Sequence, residues 1–199
     1  MNLRTRLFLA TLLTSPACHA EPPAAIEVCG TCHGANGVAT QPRTPHLNNQ
    51  SPAFLGDTMK AYANGSRPTA VPEHKTFPAD EIEAMATFYR SQKGAIRPVQ
   101  ETNPAVVAKG QTIYTDRCAN CHVDSGRDSD KDAPLVAAQN KEFLAAQSRL
   151  FKTGARKFPF MMDDSYRDLT DDDLAAVAEY FAAQEQFAPV GDKKKRRKQ

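Results

Sequence analysis

Five residues of this chain occur twice in the same pattern. Cys29-Gly30-Thr31-Cys32-His33 returns 89 positions later as Cys118-Ala119-Asn120-Cys121-His122. The match continues around both runs. At that offset Gly37 pairs with Gly126, Pro45 with Pro134, Gln50 with Gln139, and Phe54-Leu55 with Phe143-Leu144. Gly65 pairs with Gly154 and Arg67 with Arg156. Past one further loop the offset becomes 92, and Ile82, Met85, Ala86 and Tyr89 overlie Leu174, Val177, Ala178 and Phe181. Such self-similarity means two copies of one folding unit, differing by three residues in a single loop.

Each five-residue run is a C-x-x-C-H, which reads as a c-type haem attachment site. Two thiols one helical turn apart can add across the two vinyl groups of a haem, and the histidine that follows then faces the iron as its proximal ligand. The composition suits this reading. Glycine and proline together number 24 of 199 residues, so each half is a small, loop-rich unit that buries little apolar surface. A covalently held haem fills a core that the side chains alone leave short.

Apolar spacing of the helical kind predicts helices over 52–64 and 80–92 in the first half. In the second half it predicts them over 104–117, 141–153 and 171–184. Only eight residues separate position 20 from Cys29, too few for a full packed helix ahead of the first motif. Thr170 is a good N-cap, and the three aspartates after it suit the helix dipole. The fold class expected is all-α, with two tandem haem-binding domains. Their boundaries are 21–95 and 104–189, joined by a linker over 96–103 and followed by a tail over 190–199.

Residues 1–20 read as a secretory signal. Arg4 and Arg6 open it, Leu7 to Leu13 form a short apolar run, and cleavage is expected after Ala20. The competing readings are an uncleaved anchor and a lipoprotein site at Cys18. The predicted location is the periplasm. Residues 21–191 hold 17 basic and 22 acidic residues, whereas the tail carries the run Lys193-Lys194-Lys195-Arg196-Arg197-Lys198. The +2 of the whole chain therefore hides an acidic body with a basic end. The tail reads either as a solvated end or as a contact for an acidic partner or a membrane surface. Nucleic acid is not an expected partner of an exported haem protein.

These residues resemble the dihaem class I cytochromes c of the cytochrome c4 kind. They also resemble the cytochrome subunit of flavocytochrome c sulfide dehydrogenase, through the short lead before Cys29, the run Cys121-His122-Val123-Asp124 and Ala133-Pro134-Leu135. The resemblance implies two haem c groups, one held by Cys29 and Cys32 and the other by Cys118 and Cys121, with His33 and His122 as proximal ligands. It implies that the carbonyls of Pro45 and Pro134 accept the proximal imidazole protons, and that Arg67 and Arg156 contact haem propionates. A solvated charge is the alternative for either arginine.

The distal ligand of the second haem is expected to be Met162, with Met161 the alternative and plain core packing the competing role. The first half departs from the pattern, because Ala70 stands where Met162 would be. Its loop does hold His74. Counted forward from the proximal histidine, His74 is in range; counted back from the closing helix, it is four positions out. His74 is therefore the candidate distal ligand of haem 1, against a surface histidine. Met59 and Met85 are expected in the core.

The function implied is electron transfer between redox partners, such as a flavoprotein subunit or a terminal oxidase, with no residue needed for bond-making chemistry. The chain would be a free carrier or the electron-transfer subunit of an oxidoreductase. A sulfur-oxidising flavocytochrome is the alternative assembly. A zinc or thiol-redox protein is the competing use of the same cysteines.

Overall fold

The computed structural model describes residues 25–130, 133–159 and 162–187. The predicted signal segment, Met161 and the basic run 193–198 lie outside the described residues. Among the described residues the chain is helical and has no strand. The helices are α1 (Ala25–His33), α2 (Pro52–Ala63), α3 (Ala79–Ser91), α4 (Pro104–Ile113), α5 (Val123–Gly126), α6 (Lys141–Lys152), α7 (Met162–Tyr166) and α8 (Asp171–Ala182).

In the first half α2 packs on α3, and α1 touches α3. Ile26, Leu55, Met59, Met85, Ala86 and Tyr89 close the core. The methionines at 59 and 85 are thus core residues, and Met85 Sδ sits 3.6 Å from Cys29 Sγ. The short lead had argued against a helix ahead of the first motif. Instead the motif itself supplies most of α1, a nine-residue helix with Ala25 and Ile26 buried at its start.

The second half is organised by α4 crossing α8, with α6 also on α8. Gly110 makes the crossing possible, since a Cβ there would collide with the Ala176 carbonyl and lie 2.8 Å from Tyr180 Cβ. Tyr114, Val136, Tyr180 and Phe181 form the core. The expected helix over 104–117 stops at Ile113 and passes into one wider π turn, Tyr114–Cys118. Thr170 caps α8 by accepting from the Asp173 N–H, and Asp173 accepts in return from the Thr170 N–H.

The repeat seen in sequence is a repeat in space. The Gly37 carbonyl accepts from Leu47 N and Asn48 N, and the Gly126 carbonyl from Val136 N and Ala137 N. Both glycines have positive φ, 78° and 77°. Each abuts an aromatic ring, Tyr89 or Phe181, that leaves no room for a side chain. Asn49 N donates to Tyr89 O, and Ala138 N to Phe181 O, at 2.9 Å in both halves.

The two halves join through their proximal loops. Gln50 Nε2 donates to Leu135 O (2.6 Å) and its Oε1 accepts from Leu135 N (2.9 Å). Gln139 makes the same pair with His46, at 3.0 and 2.8 Å. His46 and Leu135 are themselves repeat partners, as are Gln50 and Gln139, so the interface is pseudo-twofold. All four residues are buried.

Candidate functional site

Each C-x-x-C-H run presents one partly buried and one exposed cysteine. Cys32 and Cys121 are exposed; Cys29 and Cys118 are partly buried, and burial pushes both thiols up to about 11. A redox-active or zinc-binding pair needs thiolate, which this environment opposes. A thioether carries no charge and suits it. Among the described residues no three His, Cys, Asp or Glu side chains converge as a metal cluster.

His33, at the end of α1, is 9 % exposed. Its Nδ1 lies 2.9 Å from the Pro45 carbonyl. That contact fixes Nδ1 as the protonated nitrogen and leaves Nε2 as the free, basic face. Burial lowers its pKa, and the Pro45 carbonyl opposes this more weakly, so the ring is neutral at pH 7 and fit to bind iron.

His74 lies opposite. It sits in a single 3₁₀ turn, Pro72–Lys75, opened by Pro72. Its ring centroid is 6.2 Å from that of His33, with the planes at 36°. Two imidazoles on opposite sides of one metal ion, each about 2 Å from it, place their centroids roughly 6 Å apart. His74 Nδ1 is engaged by Thr69 Oγ1 at 3.0 Å, and its ring stacks on Tyr62 at 4.9 Å. Nε2 is again the free nitrogen. Burial lowers the His74 pKa, and the nearby His33 and Arg67 lower it further, against Glu73.

His122 is held differently. The second motif leaves the helix, and His122 has φ −94° and ψ 66°. Burial lowers its pKa, with the Pro134 carbonyl and Asp130 acting the other way. Yet its buried Nδ1 has no hydrogen bond of ordinary geometry. The Pro134 carbonyl is therefore close and looser than its counterpart at Pro45. Met162 opens α7, half-buried. That helix packs on the Tyr114–Cys118 turn which carries the first cysteine of the second motif.

Arg67 and Arg156 are not solvated charges. Arg67 is 5 % exposed, and Arg156 is half-buried. Arg67 lies over the Tyr62 ring and Arg156 over the Phe151 ring, the repeat partner of Tyr62. Both donate to the same neutral acceptor, Gln147 Oε1, at 3.0 and 2.7 Å. Arg67 also donates to Thr58, while its Nε is buried without a partner. Burial lowers the pKa of each, and for Arg156 the second cause is Arg67 itself. Two guanidiniums drawn together on one neutral oxygen, with a donor unspent, form a place for carboxylates. Haem propionates supply that chemistry, so the residues present fit the group.

The sequence did not reveal Gln147, Thr69 or Tyr62 as parts of these surroundings. Gln147 matches Thr58 in the repeat, and the change of residue type hid their common position.

The cytochrome c family profile matches residues 107–184. The chain is 29 % identical to the thiosulfate dehydrogenase electron acceptor of Thiomonas intermedia, over 92 % of each protein. It is 27 % identical to cytochrome c4 of Azotobacter vinelandii, over 90 % of this chain and 98 % of that protein. The crystal structure of reduced recombinant cytochrome c4 from Pseudomonas stutzeri superposes with a TM-score of 0.70, at 24 % identity, over 82 % of this chain and 96 % of that one. With two matching scaffolds and two haem-attachment motifs, the chain belongs to the cytochrome c family, as a dihaem class I, cytochrome c4-like protein that transfers electrons.

Proposed function

We propose that the protein is an exported carrier that passes electrons between two unlike haems. Residues 21–95 form the first haem domain and 104–189 the second, after removal of residues 1–20. In this reading haem 1 is bound through Cys29 and Cys32 and ligated by His33 and His74. Haem 2 is bound through Cys118 and Cys121 and ligated by His122 and Met162, with Met161 the alternative. Arg67 and Arg156 face the propionates. The observation that carries the reading is the facing pair His33 and His74, each with Nδ1 engaged and Nε2 free, at the separation one metal ion would bridge.

His/Met ligation raises haem potential relative to bis-histidine ligation. Electrons therefore run downhill from haem 1 to haem 2. The protein tunes and positions the haems, and the redox chemistry is theirs. The test is spectroscopic. A pyridine haemochrome assay should give two haems c per chain, and the methionine–iron charge-transfer band of the oxidised protein should correspond to one haem, not two. N-terminal sequencing of the exported protein should begin at Glu21.

The electron donor is proposed to be a sulfur-compound dehydrogenase. The name of the Thiomonas intermedia relative, an electron acceptor of thiosulfate dehydrogenase, supports this. The alternative is a stable subunit of a sulfur-oxidising flavocytochrome. Co-purification with a flavin-bearing chain would select the alternative; reduction as a free protein by a separate dehydrogenase would select the carrier.

A further inference from the structure

The linker between the domains holds one side chain with no counterpart in the repeat. Arg97 is 3 % exposed. Its Nη2 donates to the Asn48 carbonyl at 3.0 Å and its Nη1 to the Ala137 carbonyl at 2.9 Å. Asn48 and Ala137 are repeat partners at the 89-residue offset. The guanidinium thus straddles the pseudo-twofold axis and makes one equivalent bond to each domain. Its Nε donates to Asn48 Oδ1 at 2.9 Å, and its backbone N–H to Gln186 Oε1 at 3.0 Å.

All these acceptors are neutral. Among the described residues no carboxylate pairs with Arg97. Burial pushes its pKa down to about 9, which still leaves it charged at pH 7. A buried charge without a counter-ion is costly to hold. Packing alone does not account for it, since an apolar side chain of the same volume would avoid that cost.

The two acceptor loops are the proximal loops. Asn48 lies three residues after Pro45, whose carbonyl meets His33, and Ala137 lies three after Pro134, beside His122. Gln50 and Gln139 tie the same loops together on either side. We infer that Arg97 is a positioning residue that locks the two proximal loops at one separation and raises both haem potentials equally. A fixed positive charge favours the ferrous over the ferric iron, and in a dry interior it acts at longer range than at the surface. Equal placement gives equal shifts. The potential difference that drives transfer is then left to the distal ligands, while Arg97 sets the level of the pair.

This inference rests on the two-haem reading, and the experiment separates them. The haem count of the wild-type holoprotein is measured first; a single haem defeats the two-haem reading and this inference with it. With two haems present, spectroelectrochemical titration of Arg97→Met should show both midpoint potentials falling by matching amounts, with their difference kept. A shift in one haem alone, or in neither, overturns the inference. Arg97→Lys keeps a charge but cannot fork to both carbonyls. Its potentials should stay closer to wild type, while a single thermal unfolding transition becomes two. An unchanged single transition in Arg97→Lys overturns the locking role, even if Arg97→Met does not assemble.

Discussion

His74 faces His33 with ring centroids 6.2 Å apart, and each ring has its Nδ1 already engaged, by Thr69 and by Pro45. His74 rides on a four-residue turn with no buried residue. Its hold is the Tyr62 stack and one hydrogen bond, so replacement should open the first haem without unfolding the domain. His74→Ala is expected to give a high-spin haem that binds carbon monoxide at about one site per chain. His74→Met is expected to raise the lower of the two potentials. Carbon monoxide bound by neither haem in His74→Ala would remove His74 from the ligand set.

Met162 begins a helix that packs against the Tyr114–Cys118 turn. Met162→Ala should abolish the methionine–iron charge-transfer band and lower the higher potential, leaving the other haem's spectrum unaltered. Persistence of the band would transfer the role to Met161, which Met161→Ala then tests.

The glutamine clasp gives a third expectation. Gln139→Leu removes both partners of the His46 backbone in a buried interface. A buried backbone group left unsatisfied costs about 1–3 kcal/mol. Gln139→Leu and Gln50→Leu should therefore each lower the denaturant midpoint, and Gln139→Leu by more, because Gln139 Oε1 also accepts from Asn140 N at 2.9 Å. A larger drop for Gln50→Leu would show that the halves do not share the interface in this way.

Much of this was legible in the chain because duplication made it so. The offset of 89 aligned the haem motifs and the two arginines, and an offset of 92 aligned the apolar faces of α3 and α8, without any structural knowledge. The clasp was not legible. Gln50 and Gln139 stood out as a repeated pair, but a repeat says which positions are equivalent and nothing about which surfaces meet. Arg97 carried no signal, having no partner in the repeat. The two motifs have identical spacing, yet one ends a regular helix at His33 and the other follows a π turn. That difference comes from Tyr114, whose hydroxyl donates to the His122 carbonyl and accepts from Ser125 N. A tertiary contact of that kind is invisible to local pattern. His74 was ambiguous for the opposite reason, since a loop of altered length makes two counts disagree and only the turn at Pro72 decides where the ring points.

The crossing of α4 and α8 has no slack at Gly110. Ala improves helix propensity over Gly by about 1 kcal/mol. Here the added methyl meets the backbone of Ala176, which cannot rotate away. Overpacking of this kind costs about 1–3 kcal/mol. Gly110→Ala should be net destabilising in chemical denaturation, and Gly94→Ala, where a Cβ meets nothing, is the control that should be neutral or better.

Acid should loosen the same crossing through Asp173. Its carboxylate accepts from the Thr170 backbone N–H and hydroxyl, and Lys109 of α4 lies 2.7 Å from it. These donors hold its pKa well below the ordinary 3.8. The folded state therefore releases the Asp173 proton more readily than the unfolded chain does. The stability this supplies is present above about pH 4 and is lost as pH falls through the depressed folded value. Asp173→Asn should be less stable than wild type at neutral pH, and the gap should begin to narrow below about pH 4, where the unfolded wild-type chain takes up the proton and the folded one does not yet. Thr170→Ala removes the cap itself, at a cost of about 1 kcal/mol, and its deficit should remain when Asp173 is protonated. Denaturant titrations of the three proteins at neutral pH and near pH 3 make the comparison. A gap for Asp173→Asn that stays constant across that range would show that the carboxylate charge does not hold α8 to α4.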